Sequence, residues 1–199
     1  MLDIKREEAA IIGYKEHPYD ALLDLYEPGS TVAQLDPLFA DVRTQLIPLI
    51  EEIRAAEPID NSFLRQKYDK DLQWNFGIKL LREMGYDFES GRQDLAPHPF
   101  TISFSSQDVR VTTRVDENDF ANMCWSTIHE GGHALYEQGT QISDYGLPTG
   151  GAISLGIHES QSRLWENHVG RSLPYWKHYY PILQTIFPNN LEQVSVNGF

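Results

Sequence analysis

The chain has 199 residues, and its 16 Lys and Arg against 29 Asp and Glu give a formal net charge of −13 and a sequence pI near 4.8. An average surface that acidic repels phosphate backbones and anionic lipid, so neither nucleic acid nor a membrane is expected as a partner. Hydrophobic residues at 41% are enough for a packed core, the single Cys124 cannot close an internal disulfide, and no stretch has the apolar length of a membrane span or signal-peptide core. A globular, cytoplasmic enzyme fits these bounds.

Residues 3–14 mix charges with Ile4, Ala9, Ile11 and Ile12 and predict a short helix. Turn residues at His17-Pro18-Tyr19 and Glu27-Pro28-Gly29-Ser30 bracket a short apolar segment. Thr31 with Gln34 forms a capping box, and Leu35, Leu38, Phe39, Val42, Leu46, Leu49, Ile50 and Ile53 recur at helical spacing, with Pro48 expected to bend the helix. A second helix is predicted from Asn61, carrying Phe63, Leu64, Tyr68, Leu72, Phe76, Leu80 and Leu81 to a stop at Gly85. Both helices read as scaffold.

The period then changes. Ile102 and Phe104 alternate with Thr101 and Ser103, and after Ser105-Ser106 the alternation resumes with Val109 and Val111, which predicts a β-hairpin. On its second strand Asp108, Arg110 and Thr112 share the face opposite the valines. A strand edge beside a metal helix can grip an extended peptide; the alternative is a solvated face with an Asp108–Arg110 ion pair. Asp116, Asn118 and Asp119 are capping residues for a helix through Phe120 to Gly139, followed by a glycine-rich loop over 140–151, a helix carrying Ile153, Ile157, Ser160 and Leu164, and an aromatic helical segment over 174–187.

The chemistry lies on the helix ending at Gly139, in His129-Glu130-Gly131-Gly132-His133. Histidines four apart on a helix face the same way and can aim at one zinc ion, while the glutamate between them reaches water beside it. With 7 His and 15 Glu in the chain, chance yields such a pattern roughly twice in a hundred shuffles, so context must carry the assignment. The paired glycines cost about 1 kcal/mol each in a helix interior, which implies a close approach to that face.

Catalytic zinc takes three protein ligands and leaves one position open. Tyr136 and Gly139 stand where a metzincin has Gly and His, which excludes that class. Glu137 lies about 12 Å along the helix from His129 and is too distant to share the ion. Glu159, Glu166, His158 and His168 remain, with Glu159 preferred; its alternative role is an ion pair with Arg163 four residues on.

The run Gly146-Leu-Pro-Thr-Gly-Gly-Ala-Ile-Ser-Leu-Gly-Ile-His-Glu-Ser-Gln-Ser-Arg-Leu-Trp-Glu-Asn167, with His98-Pro99-Phe100, Asp108-Val-Arg-Val-Thr112 and the HExxH segment, resembles the thermostable carboxypeptidase (Taq-type) family of zinc metallocarboxypeptidases. The resemblance implies that His129, His133 and Glu159 hold one zinc or cobalt ion per chain, with Glu130 as catalytic base. It also implies a mainly α, zincin-like fold with a small antiparallel sheet beside the metal helix. Removal of C-terminal residues from peptide substrates in the cytoplasm and homo-oligomerisation are further expectations. His98, Asp108, Arg110 and Thr112 are the candidate substrate-binding residues. Family members are longer, with a helical region before this part and an arginine-bearing motif after it, so residues 1–199 are expected to be a single-domain internal slice. The alternatives are a metal-binding or interaction fragment without activity, and a glutamate-ligand aminopeptidase or endopeptidase. Apolar faces over 31–56 and 61–86 left uncovered in such a slice would favour self-association.

Overall fold

The computed structural model describes residues 1–197. These fall into two compact units, one built from 1–59 with 154–156, the other from the remainder.

In the first unit α1 (Leu2–Ile12) ends at Gly13, whose φ of 89° belongs to the left-handed region that glycine tolerates. The short α2 (Asp20–Leu23) leads to α3 (Val32–Ala55). The capping box forms as expected: Thr31 Oγ1 accepts from the Gln34 amide at 3.3 Å, and Gln34 Oε1 accepts from the Thr31 amide at 3.1 Å. Asp20 Oδ1 takes the next free amide, that of Val32, at 2.8 Å. The helix continues past Pro37 and Pro48 to Ala55, and none of its residues is buried. Leu155 and Gly156 belong to this unit, their amides donating to Tyr26 O at 2.9 Å and Glu27 Oε2 at 2.8 Å.

The second unit begins with a correction. The helix expected from Asn61 starts at Lys70, as α4 (Lys70–Met84). Asp69 Oδ1 accepts from the amides of Asp71 and Leu72, which makes Asp69 the true N-cap. Phe63 and Leu64 instead occupy a single 3-10 turn over Ser62–Arg65, pinned where the Tyr68 hydroxyl donates to Phe63 O and the Tyr68 amide to Glu117 O. Burial of Tyr68 and Phe63 gives those apolar residues a core position without a helix. The stop at Gly85 is as expected, at φ 101°. Phe76, Leu80 and Leu81 of α4 are fully buried, so of the two faces expected to be exposed only that of α3 is.

Three strands follow: β1 (Gly91–Leu95), β2 (Thr101–Ser105) and β3 (Asp108–Thr113), in the order β1-β3-β2. The β2–β3 hairpin is antiparallel, as its alternation predicts, while β1 pairs parallel with β3. The strand Gly91-Arg-Gln-Asp-Leu95 has no apolar alternation, and its buried member is Gln93, so its pattern does not announce it. β1 changes the geometry: β3 is central and bonded on both sides, and the free edge next to the hairpin belongs to β2.

Val109 and Val111 turn their side chains into a buried layer with Leu81, Tyr86 and Ala134. Ala134 lies on α5 (Phe120–Gln138), which Asp119 caps through the Asn122 amide and Gly139 ends. Two 3-10 turns carry the chain across 140–154 to α6 (Leu155–Arg163), whose last turn widens into a π segment over Leu164–Val169. After Ser172, the cap of α7 (Leu173–Ile186), the described fold closes with α8 (Pro188–Leu191). Tyr68, Phe120 and Phe187 pack edge-on or tilted at 5.0–5.5 Å between ring centres and anchor the main core.

The expected tight approach at the paired glycines is present on both sides of α5. A Cβ on Gly131 would lie 2.8 Å from Leu81 Cδ2 and Met84 Cε of α4; one on Gly132 would lie 2.7 Å from Ser162 Cα of α6. α5 is thus clamped against α4 on one face and α6 on the other, and the second contact brings the histidines and Glu159 together.

Candidate metal centre

His129 and His133 project from successive turns of α5 toward Glu159 on α6. Glu159 Oε2 is 3.2 Å from His133 Nε2 and 3.7 Å from His129 Nε2, and the three donor atoms all lie within 4.8 Å of one another. Ligands tetrahedrally arranged about zinc at its usual bond lengths are roughly 3.3 Å apart, so two imidazole nitrogens and a carboxylate oxygen at these separations fit such an ion. Of the other sequence candidates, Glu137, Glu166, His158 and His168 lie outside this cluster.

Glu166 is nevertheless part of the site. Seven residues is about two helical turns, so Glu159 and Glu166 share a face and bracket one imidazole: Glu159 faces Nε2 of His129, while Glu166 Oε2 accepts from its Nδ1 at 2.9 Å. Arg171 Nη2 donates to Glu166 Oε1 at 2.8 Å, with its guanidinium 4.6 Å above the Trp125 ring centre. Arg163 Nε donates to Glu159 Oε1 at 2.7 Å, leaving Oε2 toward the histidines. Burial raises both carboxyls, but Arg163 with His129 and Ser162 outweighs it at Glu159, and Arg171 with His129 outweighs it at Glu166, so both stay below the ordinary range and ionised.

His133 has a different neighbour. Its Nδ1 is 2.5 Å from Nδ1 of His158, whose Nε2 donates to Glu137 Oε1 at 2.7 Å. That hydrogen bond holds the Glu137 carboxyl below its ordinary value. Burial, aided by repulsion from His158 and His129, lowers His133 to about 4 and keeps it neutral, the form in which an imidazole can bind a metal.

Glu130 turns to the other side of α5, toward the sheet. It is 8% exposed, and its Oε2 accepts from the Thr101 hydroxyl of β2 at 2.7 Å. Burial raises its carboxyl above the ordinary value, with the Thr101 bond opposing. His98 joins Glu130, His129, Trp125 and Arg171 around a cavity of about 470 Å³. Asp108 and Arg110 form a two-point ion pair, Oδ1 with Nε and Oδ2 with Nη2, both at 2.8 Å. Thr112 is buried and its hydroxyl is held by the Phe100 backbone. The structure therefore brings His129, His133, Glu159, Glu130 and His98 together and commits Asp108, Arg110 and Thr112 to contacts within the sheet. Sequence reasoning missed Thr101, Arg171 and the partnership of His158 with Glu137; the seven-residue spacing was the available signal for Glu166.

A second groove, of about 430 Å³, runs between β2 and the loop after α5, lined by Thr101, Ser103, Glu137, Tyr145 and Leu147 among others. Because the Thr112 amide bonds Phe100 O, the residues of β2 that bond β3 are the even-numbered ones, and Thr101 and Ser103 turn their backbone groups to this groove.

The sequence matches the carboxypeptidase Taq (M32) metallopeptidase family over residues 1–199. The chain belongs to that family. It is 45% identical over 188 residues to carboxypeptidase 1 of Bacillus subtilis, covering 94% of this chain and 38% of that one. To thermostable carboxypeptidase 1 of Thermus thermophilus it is 46% identical over 182 residues, covering 91% and 36%. The crystal structure of the M32 carboxypeptidase of Deinococcus radiodurans superposes with a TM-score of 0.94 at 41% identity, covering 99% of this chain and 40% of that one. The chain thus spans well under half the length of its M32 relatives. No helix among its described residues is long and apolar enough to cross a membrane.

Proposed function

We propose that this M32 chain carries the metal and proton-transfer centre of a zinc-dependent carboxypeptidase. The observation that carries the reading is the convergence of His129, His133 and Glu159, whose donor atoms lie within 4.8 Å of one another, with a buried Glu130 one residue from the first of them. A divalent ion held there supplies Lewis acidity, which acidifies water and polarises a carbonyl. Zinc is the ion favoured by two imidazoles and one carboxylate, with cobalt able to substitute.

Glu130 takes the proton from the attacking water and passes it to the departing amine. Thr101 occupies its Oε2, which leaves Oε1 for this exchange. Burial raises this carboxyl, which makes its ionised form a better proton acceptor than an ordinary carboxylate. The substrate backbone pairs with the free edge of β2 at Thr101 and Ser103, the strand that also positions Glu130, and this role passes to β2 from the Asp108–Arg110–Thr112 row. Arg110 and Arg163 are each committed to a carboxylate, so neither is our choice for the substrate's terminal carboxyl. The buried free thiol of Cys124 accords with a cytoplasmic setting, and the exposed apolar residues of α3 support self-association.

The test offers one peptide with a free and with an amidated C-terminus. Cleavage of the free form alone supports the proposal, and equal cleavage of both would point to an endopeptidase. Failure to cleave either, with zinc bound, would reduce the chain to a metal-holding module. Glu130→Gln should keep zinc and lose about 10²–10⁴-fold in turnover.

A further inference from the structure

The contact between His133 and His158 restricts where protons can sit. Glu137 is an ionised acceptor, so the His158 nitrogen 2.7 Å from it, Nε2, carries a hydrogen. That leaves His158 Nδ1 facing His133. A His133 that meets a metal ion through Nε2 keeps its hydrogen on Nδ1, and His158 Nδ1, 2.5 Å away, is placed to accept it. His133 Nε2 is then left with a lone pair, and it faces Glu159 Oε2 at 3.2 Å, on the side where His129 also presents Nε2.

From this chain we infer that His158 and Glu137 are positioning residues that fix His133 in the tautomer and ring orientation that hold a metal ion. The inference rests on the reading of His129, His133 and Glu159 as ligands and adds a function for two residues that are not ligands. His158 is itself held: its ring lies between His133 at 4.6 Å and Tyr136 at 4.9 Å, centre to centre. Its side chain and that of Glu137 are 17% and 20% exposed, so water does not readily replace either bond. The two ligand histidines thus receive different support, a carboxylate directly on His129 and a carboxylate acting through a second imidazole on His133. A plain structural tie between α5 and α6 would need neither the Nδ1–Nδ1 approach nor a particular tautomer.

The experiment measures zinc affinity of the metal-free chain by competition with a chromogenic chelator. His158→Phe, which keeps a ring but loses both nitrogens, should bind zinc about 10–100-fold more weakly. His158→Gln, whose amide oxygen can accept from His133 Nδ1, should recover most of that loss, and Glu137→Gln should fall between wild type and His158→Phe. Wild-type affinity in His158→Phe, or equal weakness of the Gln and Phe variants, would overturn the inference while leaving the ligand assignment intact; a wild-type chain that binds no zinc would remove both. Should His158→Phe fail to fold, nitrogen-15 spectra of the zinc-loaded wild type decide: a coupling across the hydrogen bond between the two Nδ1 atoms supports the proposal, and a His133 protonated on Nε2 refutes it.

Discussion

Gly132→Ala is the sharpest perturbation the fold offers, because a single methyl would act on the site through the backbone. In an unconstrained helix interior the change gains roughly 1 kcal/mol. Here the new Cβ would stand 2.7 Å from Ser162 Cα and 3.0 Å from Gln161 O, which are main-chain atoms and cannot rotate away. Relief to an ordinary contact of 3.4 Å means that α6 retreats from α5 by roughly 0.7 Å. Glu159 lies three residues before Ser162 on α6 and would retreat with it, while a metal bond tolerates about 0.2 Å. Gly131→Ala is the control: its Cβ would meet Leu81 Cδ2 and the end of Met84, both side-chain atoms on α4, away from Glu159. Chelator competition should find zinc affinity at least tenfold weaker in Gly132→Ala, about 1.4 kcal/mol, and close to wild type in Gly131→Ala. Thermal melts of the metal-free proteins should place both below wild type, by about 1–3 kcal/mol of overpacking less the helix-propensity gain. Gly132→Ala with undiminished zinc affinity would refute the claim that the α5–α6 spacing sets the ligand geometry.

Two further outcomes follow from the same contacts. Glu159→Ala should weaken zinc binding by more than about 100-fold, beyond what loss of an orienting partner costs, with far-UV circular dichroism unchanged because the side chain is 44% exposed; retained zinc would reassign the third ligand. The metal-free chain should lose stability as pH falls from 6.5 toward 4. His133 is lowered to about 4 in the fold, so across that window the unfolded chain takes up the proton that the folded one refuses, and the equilibrium shifts to unfolding; chemical melts at pH 7 and pH 5 that agree would contradict the burial of a neutral His133.

What could be read from the sequence follows the range of the interactions involved. Capping at Thr31 and Asp119, the glycine stop at Gly85 and the β2–β3 hairpin are decided within a few residues, and each formed where the local pattern put it. The delayed start of α4 shows local rules in competition: Asn61 and Asp69 are both good caps, and burial of Phe63 and Tyr68 against distant partners selected the later one. β1 exists because β3 offers it a parallel partner, and a five-residue strand with one buried glutamine carries no periodic sign of that. The consequence reached the functional reading, since a second partner on β3 moves the free edge proposed to hold peptide from β3 to β2.

The same distinction separates the proposed ligands from the residues proposed to support them. Helical spacing excluded Glu137 from the ion by distance along α5, and the donor cluster is made by His129, His133 and Glu159 without it. Yet axial distance limits only direct contact. One turn of α6 places His158 between Glu137 and His133, and two hydrogen bonds then span a gap that no glutamate side chain crosses alone. Glu166 reaches His129 directly, by one hydrogen bond from the far side, where the turns widen over Leu164–Val169. Periodicity on one helix can nominate residues that face an ion, because that depends on a single axis. Which proton each imidazole carries depends on the register of α5 against α6, and that register is set by the close approach at Gly132.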